Sequence, residues 1–392
     1  MKRGLLIALA LILASSALWA EEIVYPILTP KNAKAMALGG SFNSIPGGEF
    51  SFYGNPAGFA SRSNSLTLAS AEVWAYVKPT TENINAFMEG ITAADESRKI
   101  TAVLGLMPAN GGIGAGASAS AFAYAGKGLG LGGFVTTDQY IDGNDLMSAS
   151  VISDSQVNAV IGLGVPLQIG GLRLMVGGDI RPFYRIRSEI SLANTIAGLD
   201  LSHFDSTTAL DRLKISAGYG LAMDLGASVQ LGGLTLGLSI RDIAPPFPVW
   251  YGSVSDFVTA MDSGGLPTQG GVDGAAPENT ATFLPNISEG LAWKVRFLPG
   301  FIDPTIYFEL QDPVSVIREE ASALNLLHAG AELRLLSLVT LRGGINRGWL
   351  SAGAGVKLLF LEANAAVFTE ELGALPGDNP RSGISLEAAI RF

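Results

Sequence analysis

The chain has 392 residues with no cysteine, 49 glycines, 48% hydrophobic residues and a formal net charge of −10. Disulfides and thiolate metal sites are therefore excluded, and the acidic balance argues against nucleic acid or anionic-lipid partners. So many small residues fit poorly with a soluble core, because each fills little volume.

Lys2 and Arg3 open the sequence, followed by an apolar run from Leu5 to Ala14 and then Ser15, Ser16, Ala17 and Ala20. A basic start, a short greasy stretch and small residues at a cut site predict a secretory signal peptide over 1–20. That run is too short to span a bilayer comfortably, and no comparable apolar helix-length stretch follows.

The next segment, Ala33 to Ala60, holds Gly39-Gly40-Ser41-Phe42, then Ile45-Pro46-Gly47-Gly48, then Tyr53-Gly54-Asn55-Pro56-Ala57-Gly58. Glycine entropy and the missing proline donor exclude a regular helix or central strand, yet the segment is apolar enough to want burial. Its backbone groups need a wall closed around them. These residues resemble the N-terminal plug of the FadL-type outer-membrane transporters, whose motif matches here at Gly39, Gly40, Phe42, Asn55, Pro56, Ala57 and Gly58. Relatives carry an acidic turn between the two halves of the motif. This chain has Pro46-Gly47-Gly48-Glu49 there, so no role for paired acids carries over.

The remainder alternates with period two in segments of about ten residues, the pattern of transmembrane barrel strands. Fourteen such segments fall near 64–76, 112–124, 129–141, 154–166, 172–187, 213–229, 234–243, 286–297, 303–311, 325–336, 338–346, 349–359, 361–370 and 383–392. In the last, Ile384, Leu386, Ala388, Ile390 and Phe392 oppose Ser385, Glu387 and Arg391. A two-sheet sandwich would also alternate. The connections separate the two readings: Gly126-Lys127-Gly128, Gly170-Gly171, Gly232-Gly233, Pro299-Gly300, Ser337 and Phe360 are short, whereas 77–111, 188–212 and 244–285 are long. Tight turns at one end and long loops at the other are a barrel's rhythm. The expected fold is all-β: a transmembrane antiparallel β-barrel of about fourteen strands over 63–392, with residues 21–62 as a plug (hatch) in its lumen. An even count returns the C-terminus to the periplasmic side, where the plug is expected to begin. The terminal Phe392 resembles the C-terminal signal that barrel assembly machinery reads.

Two long connections read as helical, Glu82 to Ser97 and Asp205 to Lys214. The segment 244–285 reads as an aromatic start, Pro245 to Tyr251, followed by a mobile glycine-rich tip.

Chemistry-bearing groups are few. His203 falls in a loop and His328 on a lumen-facing strand with no serine placed beside it, so no catalytic residue, cofactor or metal ligand is assigned. Inward charges concentrate in the C-terminal half, where ion pairs would fill a narrow lumen. Ser118, Ser120, Phe122 and Tyr124 are expected to face inward from the N-terminal half, leaving the lumen apolar on one side and charged on the other. Candidate lumen or ligand contacts are Phe122, Tyr124, Phe247, Trp250, Tyr251, Arg241, Arg334 and Arg342. Gly132-Gly133 interrupts the alternation of Leu129, Leu131 and Val135 as a bulge would, and is the candidate lateral opening. The resemblance implies a non-enzymatic outer-membrane channel of a diderm bacterium, embedded in outer-membrane lipid. It would take up hydrophobic small molecules such as long-chain fatty acids passively and be gated by the plug. The alternative is a PorV-like partner protein that binds secreted proteins.

Overall fold

The computed structural model describes residues 23–41, 44–77, 81–92, 94–95, 112–142, 149–191, 193, 211, 213–267, 270–271, 280–295 and 301–392. The expected signal peptide, Phe42, His203 and the glycine-rich tract beyond Gly271 lie outside these residues. So does most of the helix expected at Asp205–Lys214; its end, Lys214, opens a strand.

A short strand β1 (Ile23–Tyr25) comes first. The wall then runs through β2 (Ser65–Tyr76), β3 (Gly112–Gly126), β4 (Leu129–Asp142), β5 (Ser150–Ile169), β6 (Leu172–Ser191), β7 (Lys214–Leu231) and β8 (Leu234–Ile243). Three small outer-loop strands follow, β9 (Phe247–Ser253), β10 (Gly270–Gly271) and β11 (Thr280–Phe283). The wall resumes with β12 (Asn286–Lys294), β13 (Ile302–Gln311), β14 (Leu327–Leu335), β15 (Val339–Asn346), β16 (Trp349–Leu358), β17 (Leu361–Glu371) and β18 (Pro380–Arg391). Sequential wall strands pair antiparallel, and β18 against β2 with β12 against β8 closes fourteen strands into a barrel. Closure satisfies every strand edge, which is what lets a sheet cross lipid.

Alternation sets the two faces. On β5, Val157, Ile161, Leu163, Val165, Leu167 and Ile169 are exposed while their neighbours through Gly164 are buried. Twelve residue steps at about 3.3 Å, tilted about 45°, give a band roughly 28 Å high, the height of an outer-membrane hydrocarbon layer. Above Val157 the same face turns to Ser155 and Ser153, so the band stops there. Phe360 and Phe392 stack 5.3 Å apart at the short-turn end, an aromatic rim. A closed barrel carrying such a band is built to cross an outer-membrane hydrocarbon layer.

Two expectations about the lumen fail. β3 carries a bulge between Ser120 and Phe122 relative to β4, so parity flips: Ser118 and Ser120 are buried inside, but Phe122 is 43% exposed and Tyr124 pairs with the exposed Leu131. Both rings face outward, because one inserted residue swaps the faces of all that follow. The N-terminal half also turns Asp138, Asp154, Asp179, Arg181, Arg185 and Asp224 into buried lumen positions, so charge is not confined to the C-terminal strands.

The first described strand lies at the other end from that expected for the start of the plug. β1 pairs in parallel with β11, within the long outer connection, so the chain enters the barrel from the outer mouth. Tyr25 is buried there beside Phe183, Phe247 and Phe283.

In the outer loops, α3 (Thr81–Thr92) follows two short plug helices, α1 (Ala33–Ala37) and α2 (Phe50–Tyr53), and overlaps the helix expected from Glu82. Within 244–285 there is order the glycine content concealed: β9 leads into α4 (Val254–Asp262), whose Ser253 and Asp256 form a reciprocal capping box. The Ser-x-x-Asp spacing was its signal. A fifth helix, α5 (Pro313–Arg318), starts at the Asp312 cap.

Candidate functional site

Residues 32–41 and 50–60 are buried inside the barrel apart from the half-buried Lys34, and Ile45–Glu49 is half-buried between them. Their hold on the wall comes from inward-facing glycines. A side chain on Gly330 or Gly344 would collide with Leu38 and Gly39, so the first arm lies directly on the backbones of β14 and β15. Gly39 and Gly40 both adopt positive φ, 72° and 78°, which turns the arm back. The His328 ring and the Gly39 carbonyl are 2.6 Å apart, which makes Nδ1 the donor.

The second arm is held differently. Asn55 caps a 3₁₀ turn over Pro56–Ala60, its Oδ1 accepting from Ala57 N at 2.9 Å. Its Nδ2 is shared among the carbonyls of Ser44 (2.6 Å), Leu238 (3.1 Å) and Ala227 (3.2 Å), tying the arm to itself and to β7 and β8. The Phe59 ring fills the slot left by Gly130 and Gly162 and is fully buried.

Ion pairs fill the rest of the lumen. Arg342 binds Glu332 and Asn364 at 2.8 Å each, Asn364 donates to Glu387 at 2.9 Å, and Arg391 binds Glu362 at 2.9 Å and the plug residue Glu49. A second group sets Arg181 and Arg241 around Asp224, at 3.4 and 3.5 Å, with Arg181 also on Asp242 and Arg241 donating to the Tyr53 carbonyl. Asp179 faces Asp224 directly across the β6–β7 ladder.

Above the first arm, under the outer loops, lies a cavity of about 680 Å³. Met36 and Gly40 form its floor and Tyr25 to Thr29 pass along it. Its walls mix apolar and charged groups: Lys31, Arg187, Arg318, Arg347 and Arg381 are balanced by Asp138, Asp154, Asp312, Glu319 and Glu370. Half of them are held in these ion pairs: Glu370 takes Lys31 at 2.7 Å and Arg381 at 2.8 Å, and Arg187 binds Asp154 at 2.8 Å.

The expected site residues distribute as follows. Gly39, Gly40, Asn55, Pro56, Ala57 and Gly58 come together in the two arms. Arg241 and Arg342 lie in the ion-pair groups, and Arg334 binds Glu332 at 3.1 Å while remaining half-exposed. Phe247 packs against Tyr25, Phe183 and Phe283, and Trp250 against Phe257, so both rings are spent on internal packing; Tyr251 is half-exposed. Gly132 and Gly133 do not open the wall. The β4–β5 ladder runs unbroken past them, from Leu129 to Asp142, and the bulge is on β3 opposite. The cavity residues Asn325, Asp154 and Arg381 escaped sequence reasoning, because they sit at the outer ends of strands or in loops where alternation gives no signal.

No family model and no curated protein matches the sequence. The chain resembles the FadL-type channels in fold. The toluene transporter TodX of Pseudomonas putida is 11% identical with a TM-score of 0.43, covering 94% of this chain and 98% of its own. The monoaromatic hydrocarbon channel CymD is 10% identical (TM-score 0.47; 92% and 96% covered). A Pseudomonas aeruginosa FadL homologue is 12% identical (TM-score 0.42; 95% and 99% covered).

Proposed function

We propose that this chain is a plugged outer-membrane channel for passive uptake of hydrophobic or amphiphilic small molecules, with residues 26–62 as the gate. The 680 Å³ cavity carries this reading, since it lies on the outer side of a segment that fills the barrel beneath it. Its size suits one small lipid-like molecule. A ligand enters among the outer loops and rests above Met36 and Gly40. It passes when the second arm, Asn55-Pro56-Ala57, leaves its place on β7 and β8. Fatty-acid-like molecules are the substrates this reading favours. An apolar groove of about 470 Å³ on the lipid face, floored by Ala71, Ala363 and Ala388, suits an acyl chain of the surrounding membrane.

Cells producing the chain and a variant lacking residues 26–62 test the reading by uptake of a labelled long-chain fatty acid. Selective uptake by the intact chain, replaced by unselective leak in the variant, supports it; identical uptake with and without the chain rejects it. A second reading, a surface partner for secreted proteins, draws on the exposed Val258, Met261 and Leu266 at and beyond α4. Loss of a co-purifying secreted protein when all three become serine, with uptake absent throughout, would favour it.

A further inference from the structure

The short-turn end of the barrel is built in two styles. Under β3 to β8 the strands are joined by Gly126-Lys127-Gly128, Gly170-Gly171 and Gly232-Gly233, which carry no apolar side chain. Under β14 to β17 the joints are Leu336-Ser337 and Leu359-Phe360, with Phe392 stacked on Phe360. Leu336 is 63% exposed, and Leu359, at 81%, is the most exposed large apolar side chain among the described residues. Leu336, Ser337 and Leu359 adopt positive φ of 52°, 57° and 55°, a backbone state that glycine or asparagine takes more readily. A leucine set there against that preference points to a use for its side chain. The rings beside Leu359 are phenylalanines, without the polar edge that Trp and Tyr bring to a water interface.

Strand length supplies the use. On β5 and β7 the greasy face runs twelve residue steps, from Val157 to Ile169 and from Tyr219 to Leu231, roughly 28 Å by the same rise and tilt. On β16 it runs eight steps, from Leu350 to Leu358, roughly 19 Å, where the hydrocarbon layer asks for about 25 Å. That band cannot grow toward the outer side. Asn346-Arg347-Gly348 closes the β15–β16 hairpin directly above Leu350, and Arg347 donates to the Glu371 carbonyl there. Toward the short turns it continues unbroken: Leu358 pairs with Leu361, both exposed, and Leu359 and Phe360 form the tip. Lys357 and Glu362 alternate with these residues and so have the lumen-side parity. A short wall meets a thicker layer by sinking its ends or by thinning the layer, and apolar tips make sinking the less costly course. We infer that the β14–β15 and β16–β17 turns are immersed in the periplasmic leaflet, with Leu336, Leu359 and Phe360 among phospholipid acyl chains. The glycine turns across the rim stand in water. This rests on the outer-membrane placement of the barrel and is independent of what the channel carries.

The chain has no cysteine, so single cysteines report one position each. Leu336→Cys and Leu359→Cys probe the leucine turns, Lys127→Cys and Gly171→Cys the glycine turns, and Ile161→Cys the lipid face of β5. Gly171 has open space for the side chain. Each full-length variant is labelled with the fluorophore NBD and folded into dioleoylphosphatidylcholine vesicles, with folding checked by heat-modifiable gel migration. Quenching is read with doxyl-bearing lipids and with iodide on both sides of the membrane. Labels at 336, 359 and 161 should emit to the blue and be quenched by the doxyl lipids, whereas labels at 127 and 171 should be quenched by iodide. In thinner dilauroylphosphatidylcholine vesicles the labels at 336 and 359 should lose lipid quenching and gain iodide quenching, because eight strand steps then come close to spanning the layer. Either leucine turn carries the test if the other substitution prevents folding. Iodide quenching at 336 and 359 in the thick bilayer, with 161 still lipid-quenched, overturns the immersion and leaves the membrane placement intact. Lipid quenching at all four turn positions, or at 336 and 359 in both bilayers alike, also overturns it. Iodide quenching at 161 overturns the membrane placement and the immersion with it.

Discussion

The two arms of the plug are fastened by different means. The first arm lies backbone on backbone against β14 and β15, and side chains of the wall fasten it there: the His328 ring meets the Gly39 carbonyl at 2.6 Å and Gln311 Nε2 donates to the Gly40 carbonyl at 2.7 Å. The second also rests on wall backbone, at Gly164 and Gly177, but is pinned by two side chains of its own, Asn55 reaching three carbonyls and Phe59 seated between two glycines. A hold that depends on two of the arm's own side chains loosens when they do, which is why the proposed gate is the second arm. The first, which floors the cavity, is the fixed part of the site.

Given that difference, substitutions in the second arm should loosen the plug far more than they disturb the ligand site. Phe59→Ala should cost about 3–5 kcal/mol of local plug stability, since a fully buried ring leaves an empty slot; the readout is protease cleavage within 45–60 in folded barrels. Asn55→Ala should follow at about 1–3 kcal/mol, because the Ser44, Ala227 and Leu238 carbonyls lose a shared donor. Both should leave the affinity for a long-chain fatty acid within about twofold, for the cavity floor belongs to the other arm.

The ion-pair groups sharpen the contrast on a smaller scale. Asp224 stands between two arginines, so Asp224→Asn should destabilise the lumen by about 3 kcal/mol by leaving buried cations uncompensated. Asp179 faces Asp224 across the ladder and makes no ion pair with either arginine, so Asp179→Asn should be neutral or stabilising in thermal unfolding. The reverse order would mean that the wall beneath the second arm is held by other groups.

The smallest effect is expected at the outer surface. Hydrogen bonds from the Ser253 hydroxyl and backbone N–H hold the Asp256 carboxyl below the usual carboxylate range. A depressed carboxylate stabilises its helix above the unfolded pKa, and that contribution is lost as pH falls through the folded one. Titration of α4 by NMR should therefore show it fraying only in acid below the ordinary Asp range, and Ser253→Ala should bring the titration part of the way back, since the backbone N–H of residue 253 still donates to Asp256.

Much of this was legible from residue order. Strands of about ten residues with one greasy face, joined by Gly126-Lys127-Gly128 and its counterparts, define fourteen wall strands because lipid rewards strict alternation. Asn55-Pro56 announces its turn, since an Asn side chain before proline caps locally. What failed was non-local. The β3 bulge turned Phe122 and Tyr124 outward with no mark in the sequence, because register depends on the partner strand. The entry of the plug segment from the outer mouth depends on β1 meeting β11, more than two hundred residues away. Lumen charges such as Asp154 and Arg185 lie above the membrane band, where alternation carries no hydropathy.

The central claim is that residues 32–60 close a barrel which would otherwise conduct, and single-channel recording in planar bilayers tests it most directly. The intact chain should pass almost no small-ion current, and Phe59→Ala with Asn55→Ala should produce discrete openings. Steady porin-like conductance from the intact chain, or no current from the doubly substituted one, would contradict it.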